Sequence, residues 1–133
     1  MQPDDFLYEA ERVVHVCRYP CRLSTEGEAR DLLDSVVGSR WFQNRWPKVA
    51  KRPPALFASN HASAWADFDK NRIYLPAWAS NDFTLLHELA HFCAGLKDNH
   101  GPIFVDAHLQ LVSRFMGKDA ASCFRHALRA VGR

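Results

Sequence analysis

The sequence predicts an α+β domain in which a small sheet feeds a centrally buried helix, with further helices before and after. Three observations predict it. Helical signatures run through residue 50, and three short strand-like runs lie between residues 55 and 76. A run without Pro or Gly, Phe83 to Ala94, then opens a helical C-terminal part covering residues 82–131. With 133 residues, 47% of them hydrophobic, the chain is long enough for one domain, 1–133, with a substantial core.

The elements follow in order. Phe6 to Val16 is apolar-rich and expected to be helical. Thr25-x-x-Glu28 has the form of a capping box, opening a helix that is expected to stop at Gly38. Trp41, Phe42 and Trp46 extend the apolar surface as far as Pro47, and Lys51-Arg52-Pro53-Pro54 breaks the helical pattern. Ala55 to Ala58 and Ala64 to Phe68 read as strands, the second with period-two alternation. Asp69-Lys70-Asn71 is a turn, and Arg72 to Leu75 is a third strand ended by Pro76.

Ser80, Asn81 and Asp82 offer N-caps to the next helix. There Leu86, Leu89, Ala90 and Cys93 recur at helical spacing, flanked by Leu85 and Phe92, so an apolar surface surrounds most of it. Gly95 suits the position just past its end. Pro102 fits the first turn of another helix capped at Gly101 and running to Met116, and a last helix opens near Asp119 and reaches Ala130.

The central helix carries His87-Glu88-Leu89-Ala90-His91, followed nine residues later by His100-Gly101-Pro102. Residues four apart share a helix face, so His87 and His91 can aim both imidazoles at one ion. Glu88, one position round, can reach a water held there. This is the zinc-hydrolase form of the H-E-x-x-H pattern. Lys97-Asp98-Asn99 turns the chain back, which makes His100 the expected third ligand, with His108 and Asp106 as alternatives. Without a metal, His87 and His91 would be core histidines needing hydrogen-bonded rings, and Glu88 a half-buried carboxylate needing a partner.

One Zn2+ on three imidazoles leaves a fourth position for water, the arrangement of catalytic sites. Glu88 is the expected general base in a hydrolysis. For a second stabiliser of developing charge the candidates are Tyr74, His61 and His108. Asp98, Asn99 and Asp106 are candidates for orienting a ligand imidazole. The strand Arg72 to Leu75 is expected to line a cleft into which a peptide substrate adds as an extended strand.

Other features narrow the partners. Net charge is only +2, so no global basic signal points to nucleic acid. Lys48, Lys51 and Arg52 cluster near Pro53, and Arg114, Lys118, Arg125, Arg129 and Arg133 gather near the end. A solvated helix face is expected there, with a phosphate-binding patch as the alternative. Trp41, Trp65 and Trp78 sit beside apolar neighbours, as core residues do. No stretch approaches the ~20 apolar residues of a membrane span. Met1-Gln2-Pro3-Asp4-Asp5 lacks the basic and apolar regions of a signal peptide, so a cytoplasmic location is expected. The four Cys build no obvious disulfide framework: Cys17 and Cys21 have three residues between them rather than two, and Cys93 and Cys123 read as small buried hydrophobes.

The stretch from Arg72 to Ala130, with Arg-Ile-Tyr-Leu-Pro-Ala-Trp-Ala, His-Glu-Leu-Ala-His, His-Gly-Pro-Ile-Phe and Phe-Met-Gly-Lys-Asp-Ala-Ala, resembles a family of metallohydrolases found in actinobacteria and their phages. The pairing of H-E-x-x-H with a downstream H-G-P-x-F is also similar to SprT-like zinc proteases, the class that includes the Spartan DNA–protein crosslink proteases. The likeness implies a zincin-like domain with His87, His91 and His100 as zinc ligands and Glu88 as catalytic base. Relative to SprT-like proteases, the interval from the second to the third His is shorter, and no four-Cys ribbon follows. Metzincins place the Gly and the third His sooner after the second His, and Met116 lies in a helical pattern rather than a Met-turn.

Overall fold

The computed structural model describes residues 25–76 and 81–131. The N-terminal helix expected at Phe6 to Val16, Cys17 and Cys21, Trp78, Ser80 and Arg133 lie outside the described residues.

Helix α1, Glu26–Val37, begins where the sequence placed it. Thr25 Oγ1 accepts from the Glu28 N–H at 3.2 Å while the Glu28 carboxylate accepts from the Thr25 N–H at 3.3 Å. This reciprocal cap satisfies two backbone donors that a helix start leaves open. Ala29, Leu33, Val36 and Val37, spaced by helical turns, form its buried face. The apolar stretch before Pro53 resolves into two short helices, α2 (Arg40–Arg45) and α3 (Pro47–Lys51). Ser39 caps the first through its side chain, and Pro47 starts the second at a position where a missing N–H costs nothing.

Three strands follow: β1 (Ala55–Ser59), β2 (Trp65–Asp67) and β3 (Arg72–Pro76), in the order β1-β3-β2. β1 runs parallel to β3, pairing Leu56 with Ile73, and β2 runs antiparallel to β3, pairing Trp65 with Tyr74. The turn into β3 sets Asn71 at φ 54°, a left-handed conformation that Asn tolerates. Its side-chain amide donates to the Arg52 and Pro53 carbonyls, tying the turn to the start of β1.

Helix α4, Asp82–Ala94, is capped by Asn81, whose side chain accepts from the Thr84 N–H at 2.8 Å. Phe83, Leu85, Leu86, Leu89 and Ala90 are all buried, so the helix is covered on most sides, as its apolar content required. It packs against α5 (Pro102–Phe115) and also touches α1, β2 and β3. Helix α6 (Lys118–Ala130) in turn buries Ala120, Phe124, Ala127 and Leu128, and packs on α5. The expected class, α+β, is the architecture found, and the small sheet, expected to be antiparallel or mixed, is mixed.

Several expectations are refined. Trp41 and Trp65 are half-buried rather than core, as are Cys93 and Cys123. Burial still pushes the Cys93 thiol well up, leaving it protonated and inert. Among the described residues no helix is long and apolar enough to cross a membrane.

Candidate metal centre

His87 and His91 stand one turn apart on α4, and His100 comes back to them from the loop before α5. One ring nitrogen from each lies within 4.8 Å of the others, and the Nε2 atoms of His91 and His100 are 3.2 Å apart. The ring centroids form a near-equilateral triangle with sides of 5.2, 5.2 and 4.8 Å. Two nitrogens sharing one tetrahedral ion at ~2.0–2.1 Å stand about 3.3–3.4 Å apart, close to the His91–His100 separation, so the three histidines form a candidate metal site.

The loop geometry that delivers His100 depends on local detail. Gly95, at φ 90°, ends α4 in a conformation other residues rarely adopt. Asp98 then organises a tight turn: its carbonyl accepts from the Gly101 N–H at 2.8 Å and its carboxylate from the Phe104 N–H at 2.6 Å. The second bond caps α5, which has no side-chain cap from Gly101 itself. A Cβ at Gly101 would lie 2.8 Å from Asp98 Oδ1 and 2.9 Å from the Asp98 carbonyl oxygen, closer than carbon and oxygen can approach. His100 is thereby held 8% exposed, beside the α4 pair.

Phe104 forms the floor of the site. Fully buried, it stacks on His91 at 4.4 Å between centroids and meets His87 and His100 edge-on at 4.9 and 5.0 Å. The sequence singled out its motif but gave it no role, and the one available signal was its position four residues after His100.

Electrostatics favour a neutral imidazole at His91. The His91 pKa is lowered to about 3, first by burial and then by the neighbouring His87 and His100. Its lone pair is therefore free for a metal at neutral pH. Glu88 is buried, with Oε2 3.8 Å from His87 Nε2, and shares with the three histidines a cleft of about 290 Å³. Ala64, Trp65 and Ala66 contribute the adjoining wall.

The remaining candidates fall elsewhere. His108, proposed as an alternative ligand, lies fully buried beneath the site, its ring 5.3 Å from His87 and packed on Phe83, Phe104 and Phe124. It is not in the cluster of ligand atoms, and burial holds its pKa well below the usual histidine range. Asp106 is a correction: it points to solvent on another face of α5 and accepts from the Gln110 amide. Asp98 shapes the loop, and Asn99, at φ 46°, lines the cleft. Tyr74 also departs from expectation. It stacks on Trp65 at 4.3 Å, accepts from Arg72 through its hydroxyl, and does not line the cleft. His61 packs against Trp65 and is likewise outside it.

The strand expected beside the cleft is corrected too. β3 is hydrogen-bonded on both sides, so it has no edge to offer. The cleft wall comes instead from β2, one of the two outer strands among the described residues. Comparison with protein-family models, with curated proteins and with solved structures gave no match.

Proposed function

We propose that the protein is a zinc-dependent hydrolase that cleaves peptide bonds, with Glu88 as general base. The observation that carries this is the convergence of three imidazole nitrogens, two of them 3.2 Å apart, beside a buried carboxylate in an open cleft. A purely structural zinc site closes all four positions with protein ligands and has no need of a base.

His87, His91 and His100 would hold the ion. Zinc so held supplies a Lewis acid that polarises a carbonyl and makes water acidic near neutral pH. Glu88 accepts a proton from water in the cleft and returns it to the departing amine, which couples bond cleavage to leaving-group protonation. Its burial excludes competing solvent and strengthens that exchange. Phe104 and Asp98 act through the histidines, the first by wedging the rings and the second by fixing the loop that carries His100.

The outer position of β2 supports an extended peptide as substrate. Among the described residues nothing pairs with its outer edge, and an edge strand offers backbone donors and acceptors to a passing chain. Trp65 and Ala66 of β2 line the same cleft as Glu88. The likeness of the two motifs to SprT-like proteases supports the same reaction class.

Incubating metal-loaded protein with a proteome-derived peptide library and reading new termini by mass spectrometry tests the proposal. Wild type is expected to generate them, and Glu88→Gln to lose about a hundredfold or more in rate with its metal retained. If wild type and Glu88→Gln both hold metal and neither cleaves, the fold is a binding or regulatory module instead.

A further inference from the structure

A second cleft, of about 580 Å³, opens where α2, α5 and α6 meet, and none of its lining residues lines the metal cleft. Helical spacing assembles it. Asp106, Gln110 and Arg114 follow at four-residue intervals along one face of α5, Lys118 and Arg125 stand two turns apart on α6, and Arg45 is the last residue of α2. Four cations thus meet one carboxylate. Converging like charges repel unless something of opposite sign joins them.

The fold holds two of these cations, Arg45 and Arg114, with an aromatic ring, and one of the two also with an amide. The Arg45 and Arg114 guanidiniums lie 5.2 and 5.8 Å from the centre of the Trp41 ring. That ring is itself fixed by edge contacts to Trp46 and Phe115. Gln110 links Arg45 to Asp106: its carbonyl accepts from Arg45 Nε, and its amide donates to Asp106 at 2.6 Å. The only acid lining the cleft among the described residues is thus occupied in orienting an arginine through Gln110. Guanidiniums stacked in this way are preset, which lowers the entropy cost of gripping a ligand.

We propose that this cleft binds a compact small molecule bearing two or more phosphates, recognised through Arg45, Arg114, Lys118 and Arg125. Arginine forks match phosphate oxygens in pairs, and four cations exceed what a single phosphate neutralises. The cleft volume falls in the range of small-molecule sites. Trp41 is already engaged by two guanidiniums, so recognition rests on charge rather than on stacking of a base. The proposal is independent of the metal centre and of any hydrolysis there.

Calorimetric titration of the metal-loaded protein at low ionic strength, with inorganic pyrophosphate, ADP and orthophosphate as probes, tests it. Pyrophosphate and ADP should bind alike, and orthophosphate about tenfold or more weaker. The double variant Arg114→Gln/Arg125→Gln should weaken pyrophosphate about a hundredfold, whereas Arg129→Gln, on the same helix but outside the cleft, should not. If the double variant fails to fold, Lys118→Gln alone should still weaken binding about tenfold. Absence of pyrophosphate binding overturns the proposal. So does binding unchanged in these variants, which would place it on the metal, or lost equally in Arg129→Gln. Binding of a single-stranded oligonucleotide that pyrophosphate cannot displace would overturn it in favour of a nucleic-acid surface.

Discussion

His91 occupies the point where three imidazoles meet, and its protonation is coupled to folding. Its folded pKa of about 3 lies below the ~6.5 of an unfolded histidine. Between those values the unfolded chain binds a proton that the folded chain does not, so stability falls as pH drops through that window and is unaffected above it. We expect the thermal midpoint of metal-free protein to fall from about pH 6.5 towards pH 3. His91→Gln should flatten that fall relative to wild type without abolishing it, because buried His108 has the same sign. Parallel midpoint curves for the two proteins would contradict the lowered pKa of His91. At this scale the site was largely legible: His87, Glu88 and His91 follow from four-residue spacing, and His100 from the turn after Gly95. Phe104 was not, because an apolar residue type does not say what it packs against. Asp106 and His108 were ambiguous for a related reason. Spacing along α5 relates them to each other but not to α4, and the rotation of α5 that turns His108 inward also turns Asp106 out.

Among the elements, the seven-residue return from Gly95 to Gly101 decides whether a third histidine joins the candidate pair on α4. Its shape rests on Asp98, whose oxygens occupy the space a side chain at Gly101 would need. We expect Gly101→Ala to cost about 1–3 kcal/mol through this overlap. It should also weaken metal binding about tenfold or more, since a displaced His100 leaves only the α4 pair. Competition with a fluorescent chelator measures the second effect, and unchanged affinity would show that the loop adapts. Helix positions were readable here because their signals are local: the Thr25 capping box, the Asn81 cap, Gly95 and Pro102 each act within a turn. The order of strands was not. Whether β2 or β3 lies outermost depends on a parallel pairing of β1 with β3 across the intervening hairpin, and no local pattern encodes it. That is why β3 was expected to line the cleft and β2 does so.

Across the whole molecule, α5 joins two candidate sites of different chemistry. Phe104 and His108 on one face support the metal centre, and Asp106, Gln110 and Arg114 on another line the basic cleft. The basic cleft was half visible in the sequence, since Arg114, Lys118 and Arg125 gather near the chain end, but Arg45 and Trp41 join them only through tertiary packing. Everything proposed for catalysis depends on the three histidines binding one ion together. The most direct measurement is elemental mass spectrometry of wild type and His100→Ala, purified in parallel from zinc-replete medium. We expect about one zinc per wild-type chain and a sharp loss in the variant, as three-ligand binding requires. No zinc in the wild type would make the cluster a buried polar core, and zinc fully retained in His100→Ala would remove His100 from the ligand set.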